Sequence, residues 1–165
     1  MRGGWRAVSK AGLACVALAA GNPAVRAAGF DYTTPGLSAE QLARLPGVSY
    51  ARPLQELPQR TLVVVHLTFP PNRRGPSPQH GCTAHRHPGP ASVRVTKGAV
   101  RLGLAGQPVR LVHAGQIFYE PANALHVTAE NASSVEPAMA VAVLAIPKGA
   151  PLLIPDKRCG NRPAH

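Results

Sequence analysis

From Thr61 onward, apolar and polar positions alternate with a period of two. In Thr61–Phe69, Val63, Val65, Leu67 and Phe69 fall on one face, and Leu62, Val64, His66 and Thr68 on the other. That alternation predicts a strand with one face against a core. Pro70-Pro71-Asn72 ends it, because proline has no N–H to give to a ladder. Strand patterns return at Ser92–Thr96, Ala99–Leu104, Val109–His113, Gln116–Glu120, Leu125–Ala129 and Met139–Ile146, with turns at Lys97-Gly98 and from Ala105 to Pro108. Upstream, Ser38-Ala-Glu-Gln41 has the form of a capping box ahead of Leu42 and Leu45. It predicts one short helix, stopped at Pro46-Gly47. About seven or eight short strands, spaced by roughly 8–12 residues, predict an all-β sandwich or barrel. A small double-sheet roll of this kind leaves an interior able to hold a ligand. The chain thus divides into a Pro-rich N-terminal arm with a short helix over 29–60, a β-roll over 61–147 and a C-terminal tail over 148–165.

Composition narrows the picture. A chain of 165 residues with 16 Gly and 18 Pro is one domain of many turns and short elements, which excludes a multi-domain machine and a coiled coil. The 18 Lys and Arg against 7 Asp and Glu give a net charge of +11, which invites a nucleic-acid reading. The positions of the charges argue against it. Residues 1–29 contain no acid; Arg2, Arg6 and Lys10 precede a small apolar run, Ala11 to Ala20, and small residues recur around Ala27-Ala28. This is the layout of a secretory signal peptide over 1–28. A mitochondrial presequence shares its charge statistics, so secreted or periplasmic localisation is the expectation and organelle import the alternative. Removal of that segment takes four positive charges and leaves 14 against 7, or +7. The rest are dispersed, with no run of five and no interleaved aromatics to stack bases. No nucleic-acid partner and no membrane contact after processing are expected. Cys82 and Cys159 remain as an even pair that could close a disulfide, which an oxidising compartment permits; two unrelated thiols are the alternative. Asn131-Ala132-Ser133 is a glycosylation sequon, relevant on a eukaryotic secretory route.

The histidines carry the chemistry. Of seven, His80, His85 and His87 share one segment and His126 follows a turn at Pro121. On a strand, His85 and His87 at i and i+2 point to the same face, about 7 Å apart along the chain. Two imidazoles on one face and a third on a later strand form a natural site for Zn, Fe, Mn, Ni or Cu. His66, His113 and His165 read as ordinary surface or core histidines. His80 and Cys82 are near enough to His85 for a Cys-x-x-His ligand role if the thiol is reduced.

The segment His85-Arg-His-Pro-Gly-Pro-Ala-Ser-Val-Arg-Val-Thr-Lys-Gly98 resembles the first motif of the cupin superfamily, H-x-H-x(3,4)-E-x(6)-G. Gly115-Gln-Ile-Phe-Tyr-Glu-Pro-Ala-Asn-Ala-Leu-His126 resembles the second, G-x(5)-P-x-G-x(2)-H. The resemblance runs from about residue 61 to 147, and the motifs stand 16 residues apart. It implies a double-stranded β-helix, or jelly-roll, barrel with a mononuclear divalent metal on His85, His87 and His126. Three departures carry information. The motif glutamate falls on Ala91, and the second-motif glycine is Asn123, a residue that tolerates φ > 0. The glycine opening the first motif falls on Gln79, and Gly81-Cys82-Thr83 looks like an insertion. Without the carboxylate the chain is similar to three-histidine cupins, among them iron-dependent thiol and diketone dioxygenases. The resemblance therefore implies an oxidoreductase of dioxygenase type acting on a small organic molecule, with iron foremost among the metals. A metal-assisted isomerase, cyclase or decarboxylase and a non-catalytic cupin that binds metal or a small ligand are the alternatives. Glu120 is the carboxylate candidate, as a replacement ligand or a general base, against a solvent-facing strand end. Tyr119 is either a pocket phenol or a packing aromatic. The arm is expected to pack along a sheet edge, and cupin edges of this kind support a homodimer.

Overall fold

In the computed structural model, the described residues are 32–71 and 84–157. The signal segment, His80, Cys82 and Cys159 lie outside the described residues. One four-residue helix, α1 (Ala39–Leu42), precedes ten strands. These are β1 (Val48–Pro53), β2 (Arg60–Phe69), β3 (His85–Arg86), β4 (Ala91–Lys97), β5 (Ala99–Leu104), β6 (Arg110–His113), β7 (Ile117–Glu120), β8 (His126–Asn131), β9 (Ala138–Pro147) and β10 (Ile154–Pro155). They form two five-stranded antiparallel sheets, ordered β1-β2-β9-β4-β7 and β10-β3-β8-β5-β6.

The longest pairing sets the frame. β2 and β9 run in register over ten residues, from Arg60 opposite Pro147 to Phe69 opposite Ala138. Their alternation is the one the sequence shows: Val63, Val65 and Phe69 are buried on β2, and Ala138, Ala140, Ala142, Leu144 and Ile146 on β9. The second sheet answers with Val100, Leu102 and Leu104 from β5 and Val112 from β6. Each large aliphatic side chain buried in this way stabilises the roll by about 1.5–3 kcal/mol.

The chain on either side of the roll is built into it. Ser38 caps α1 as a complete capping box, an arrangement worth about 1 kcal/mol, and Leu42 and Leu45 pack into the core. β1 then joins the first sheet along the edge of β2. At the other end, β10 pairs with β3, setting Ile154 opposite Arg86 and Pro155 opposite His85. Residues 148–157 therefore close over the first motif instead of trailing away from it.

Two backbone positions hold the motifs in place. A Cβ at Gly89 would meet the Ala145 carbonyl oxygen at 2.0 Å, so only glycine lets the His87–Pro90 turn cross β9 so closely. Asn123 has φ of 61°, the left-handed conformation anticipated where the second motif usually carries glycine. Its N–H donates to the His87 carbonyl at 2.8 Å, and the Arg86 guanidinium donates to the Asn123 carbonyl at 2.6 Å. The two motifs are thereby tied to each other by one backbone bond and one from the Arg86 side chain.

Candidate metal centre

The three histidines of the motifs meet between the sheets. His85 lies opposite His126 in the β3–β8 pair, and β8 is held on its other side by β5, with Leu104 opposite His126. His87 follows β3 by one residue and turns to the same side as His85. The ring centroids lie 4.9 Å apart for His85 and His87, and 5.1 Å apart for His85 and His126. His85 is 7% exposed and His126 4%.

The first sheet contributes a carboxylate. On β7, alternation turns Phe118 and Glu120 inward and Tyr119 outward. Glu120 is 3% exposed. Its Oε2 lies 3.4 Å from His126 Nδ1 and 3.8 Å from His87 Nε2. Burial raises the affinity of Glu120 for a proton, but contact with His126 and the potential of His126, His87 and His85 outweigh it, and its carboxyl sits below the usual range. The solvent-facing alternative for Glu120 is thus overturned. The pocket-phenol expectation for Tyr119 is overturned as well: its side chain is 57% exposed on the outer face of the sheet, because a strand's neighbouring residues point to opposite sides.

His87 is positioned from behind. Its Nδ1 lies 2.7 Å from the Leu152 carbonyl, so Nδ1 carries the proton and donates, leaving the Nε2 lone pair directed at the other imidazoles. Burial pulls the His87 pKa down, against Glu120 and the Leu152 hydrogen bond. His87 Nε2 and His85 Nε2 are 3.2 Å apart; with His87 as acceptor, His85 is the donor. Neither nitrogen of His126 has an aligned hydrogen-bond partner, although both are buried. Phe118 stacks on that ring at 6.1 Å with a 26° tilt, and the exposed Arg110 guanidinium lies 5.7 Å over the Phe118 ring.

This arrangement can be tested against a divalent ion. Among the described residues, no three His, Cys, Asp or Glu side chains already form a metal cage; the donors meet in pairs instead. Two observations fit a cation all the same. A buried imidazole with neither nitrogen in an aligned hydrogen bond costs up to about 1–3 kcal/mol per lost partner, and a metal bond removes that cost at one of them. An imidazole whose far N–H donates to a backbone carbonyl is the usual orienting arrangement behind a metal ligand. The donor set of imidazoles with one carboxylate suits Fe, Mn, Zn and their neighbours.

Residues 65–144 match the family model described as the cupin domain. Those residues, just under half of the chain, form a cupin domain. Its two antiparallel sheets are the cupin double-stranded β-helix. Among solved structures, this cupin is similar to an RmlC-like cupin family protein from Methanocaldococcus jannaschii, at 19% identity over 57% of this chain and 72% of that one, TM-score 0.42. It is similar to an uncharacterized conserved protein with a double-stranded β-helix domain from Klebsiella pneumoniae, at 20% identity over 73% and 96%, TM-score 0.47. A third likeness is to an oxalate oxidase, at 22% identity over 78% and 66%, TM-score 0.44. No curated protein matches the chain.

Other expectations fall away from the site. His66 is exposed and meets Ser49 Oγ at 3.0 Å, and His113 is exposed on β6. Asn131 is 7% exposed, and its amide nitrogen donates to the carbonyls of Phe69 at 2.7 Å and Glu136 at 2.8 Å. A glycan on that nitrogen would break both bonds, so the sequon is a structural asparagine in the folded chain. Two site residues were not among the candidates. The Leu152 carbonyl is invisible because every residue has one. Phe118 could have been found as the i−2 neighbour of Glu120 on an alternating strand.

Proposed function

We propose that this cupin is a metal-dependent oxidoreductase of dioxygenase type, acting on a small organic molecule with a mononuclear divalent ion on His85, His87 and His126. The observation that carries the reading is the convergence of these three imidazoles, His85 and His126 buried and His87 half-buried, with neither nitrogen of His126 in an aligned hydrogen bond. A bound ion would supply Lewis-acid polarisation of a substrate oxygen and, if it is iron, a means of engaging O₂.

The chain's own residues have separate tasks. The Leu152 carbonyl holds the His87 tautomer that presents its lone pair to the site. Glu120 brings a negative charge to the site, facing His126 and His87. Phe118 covers one face of His126 and keeps water from that side. The apolar Ala91, where the motif carries its glutamate, favours a second reading, a non-catalytic cupin that binds metal or a small ligand.

Oxygen uptake separates the two. Protein loaded anaerobically with Fe(II) is exposed to O₂ with enediol, thiol and β-diketone substrates in turn. Uptake that needs both iron and one substrate class, and disappears in His126→Ala, supports the enzyme. Tight metal binding with no uptake on any class, and none when Mn, Ni, Zn or Cu replaces iron, supports the binding module.

A further inference from the structure

We propose that Glu120 supplies, from the facing strand, the anionic metal ligand that the first motif lacks at Ala91. The inference rests on the three-histidine reading above and adds a fourth donor to it.

Register carries it. β4 and β7 pair antiparallel with Ala91 opposite Glu120. Facing residues on one side of such a pair have Cβ atoms about 4.5–5.5 Å apart, and both residues are buried between the sheets. A carboxylate one methylene beyond either Cβ therefore reaches the same volume. Glu120 Oε2 is in that volume now, 3.4 Å from His126 Nδ1 and 3.8 Å from His87 Nε2. The methyl of Ala91 leaves it room. Glutamates at both positions would set two carboxylates side by side in one closed space, where one would be driven to protonate. The two positions are exchangeable, and each excludes the other.

Charge points the same way. A buried carboxylate is costly unless a cation or several donors balance it. Among the described residues no Lys or Arg forms a salt bridge with Glu120; its ion-pair neighbours are His87 and His126. A divalent ion among those rings supplies the balancing charge, and a carboxylate ligand lowers the net charge of the centre from 2+ to 1+.

The test is a Co(II) titration of the metal-free full chain, read by visible absorption and by competition with a chelator. Wild type is expected to bind one Co(II) per chain. Glu120→Gln keeps the shape and removes the charge, and Glu120→Ala removes the side chain; each should weaken Co(II) by at least about 10-fold and change the visible band. The double variant Ala91→Glu/Glu120→Ala restores a carboxylate from β4 and should return affinity to within about 3-fold of wild type. A merely structural role for Glu120 would not move the band in the shape-preserving variant. Wild-type affinity and band in Glu120→Gln overturn the inference, and so does weakening that Ala91→Glu fails to rescue. The three-histidine reading fails in a different way: wild type takes up no Co(II), or His126→Ala binds it as tightly.

Discussion

The two sides of the site are held by different means. On the His87 side, polar contacts are made within the protein: Nδ1 donates to the Leu152 carbonyl, Nε2 accepts from His85, and the turn that follows is locked by Gly89 against β9. On the His126 side, the ring is more deeply buried, yet neither nitrogen has an aligned partner, and a carboxylate oxygen lies 3.4 Å from Nδ1. Backbone carbonyls, which the fold supplies at fixed positions, orient the first side. The second is faced by a charged side chain, the Glu120 carboxylate. One half of the site is thus oriented by backbone, and the other by contact between two side chains.

Substitutions can break that contrast, beginning with the most severe. Gly89→Ala drives a methyl into the Ala145 carbonyl, with further contacts at 2.7 and 2.9 Å. Backbone cannot yield as a side-chain tip can, so the expected loss is about 3 kcal/mol or more, measured by denaturant unfolding. A loss below 1 kcal/mol would mean that the turn is free to move. Next comes a pair. In metal-free protein, His87→Phe leaves the Leu152 carbonyl without its donor and should cost about 1–3 kcal/mol. His126→Phe in a Glu120→Gln background, where no carboxylate is left without its neighbour, breaks no aligned hydrogen bond and should cost less. Equal losses would remove the distinction between the two sides. The smallest effect is expected from Tyr119→Phe: the side chain stands on the outer face, and surface changes of this kind stay within about 0.5 kcal/mol. Metal affinity and turnover should match wild type, and a large fall in either would put the phenol back in the site.

What could be read from the sequence follows from where the decisive interactions lie. β2, β4 to β9 and the capped α1 were legible because alternation and turn or cap residues are local. β1 was not: of Val48–Pro53 only Ala51 is buried, so its pattern gives no period, and it forms because the edge of β2 is there to pair with. β3 and β10 are two residues each, too short for any pattern. In the site, His85, His87 and His126 were legible from motif spacing, and Asn123 from the backbone it must adopt. The facing of Ala91 and Glu120 was not, because strand register is set by the whole sheet and not by either segment. Tyr119 and Glu120 were both candidates; parity along β7 separates them, with Phe118 and Glu120 inward.

The central claim is that these three imidazoles hold one metal ion. Metal-free protein is dialysed anaerobically against Fe(II), washed, and its metal content measured per chain by mass spectrometry, beside His85→Ala, His87→Ala and His126→Ala. A three-imidazole centre predicts one iron per wild-type chain and none in any of the three variants that still fold. Wild type without stoichiometric iron, or with as much as the variants, would contradict it.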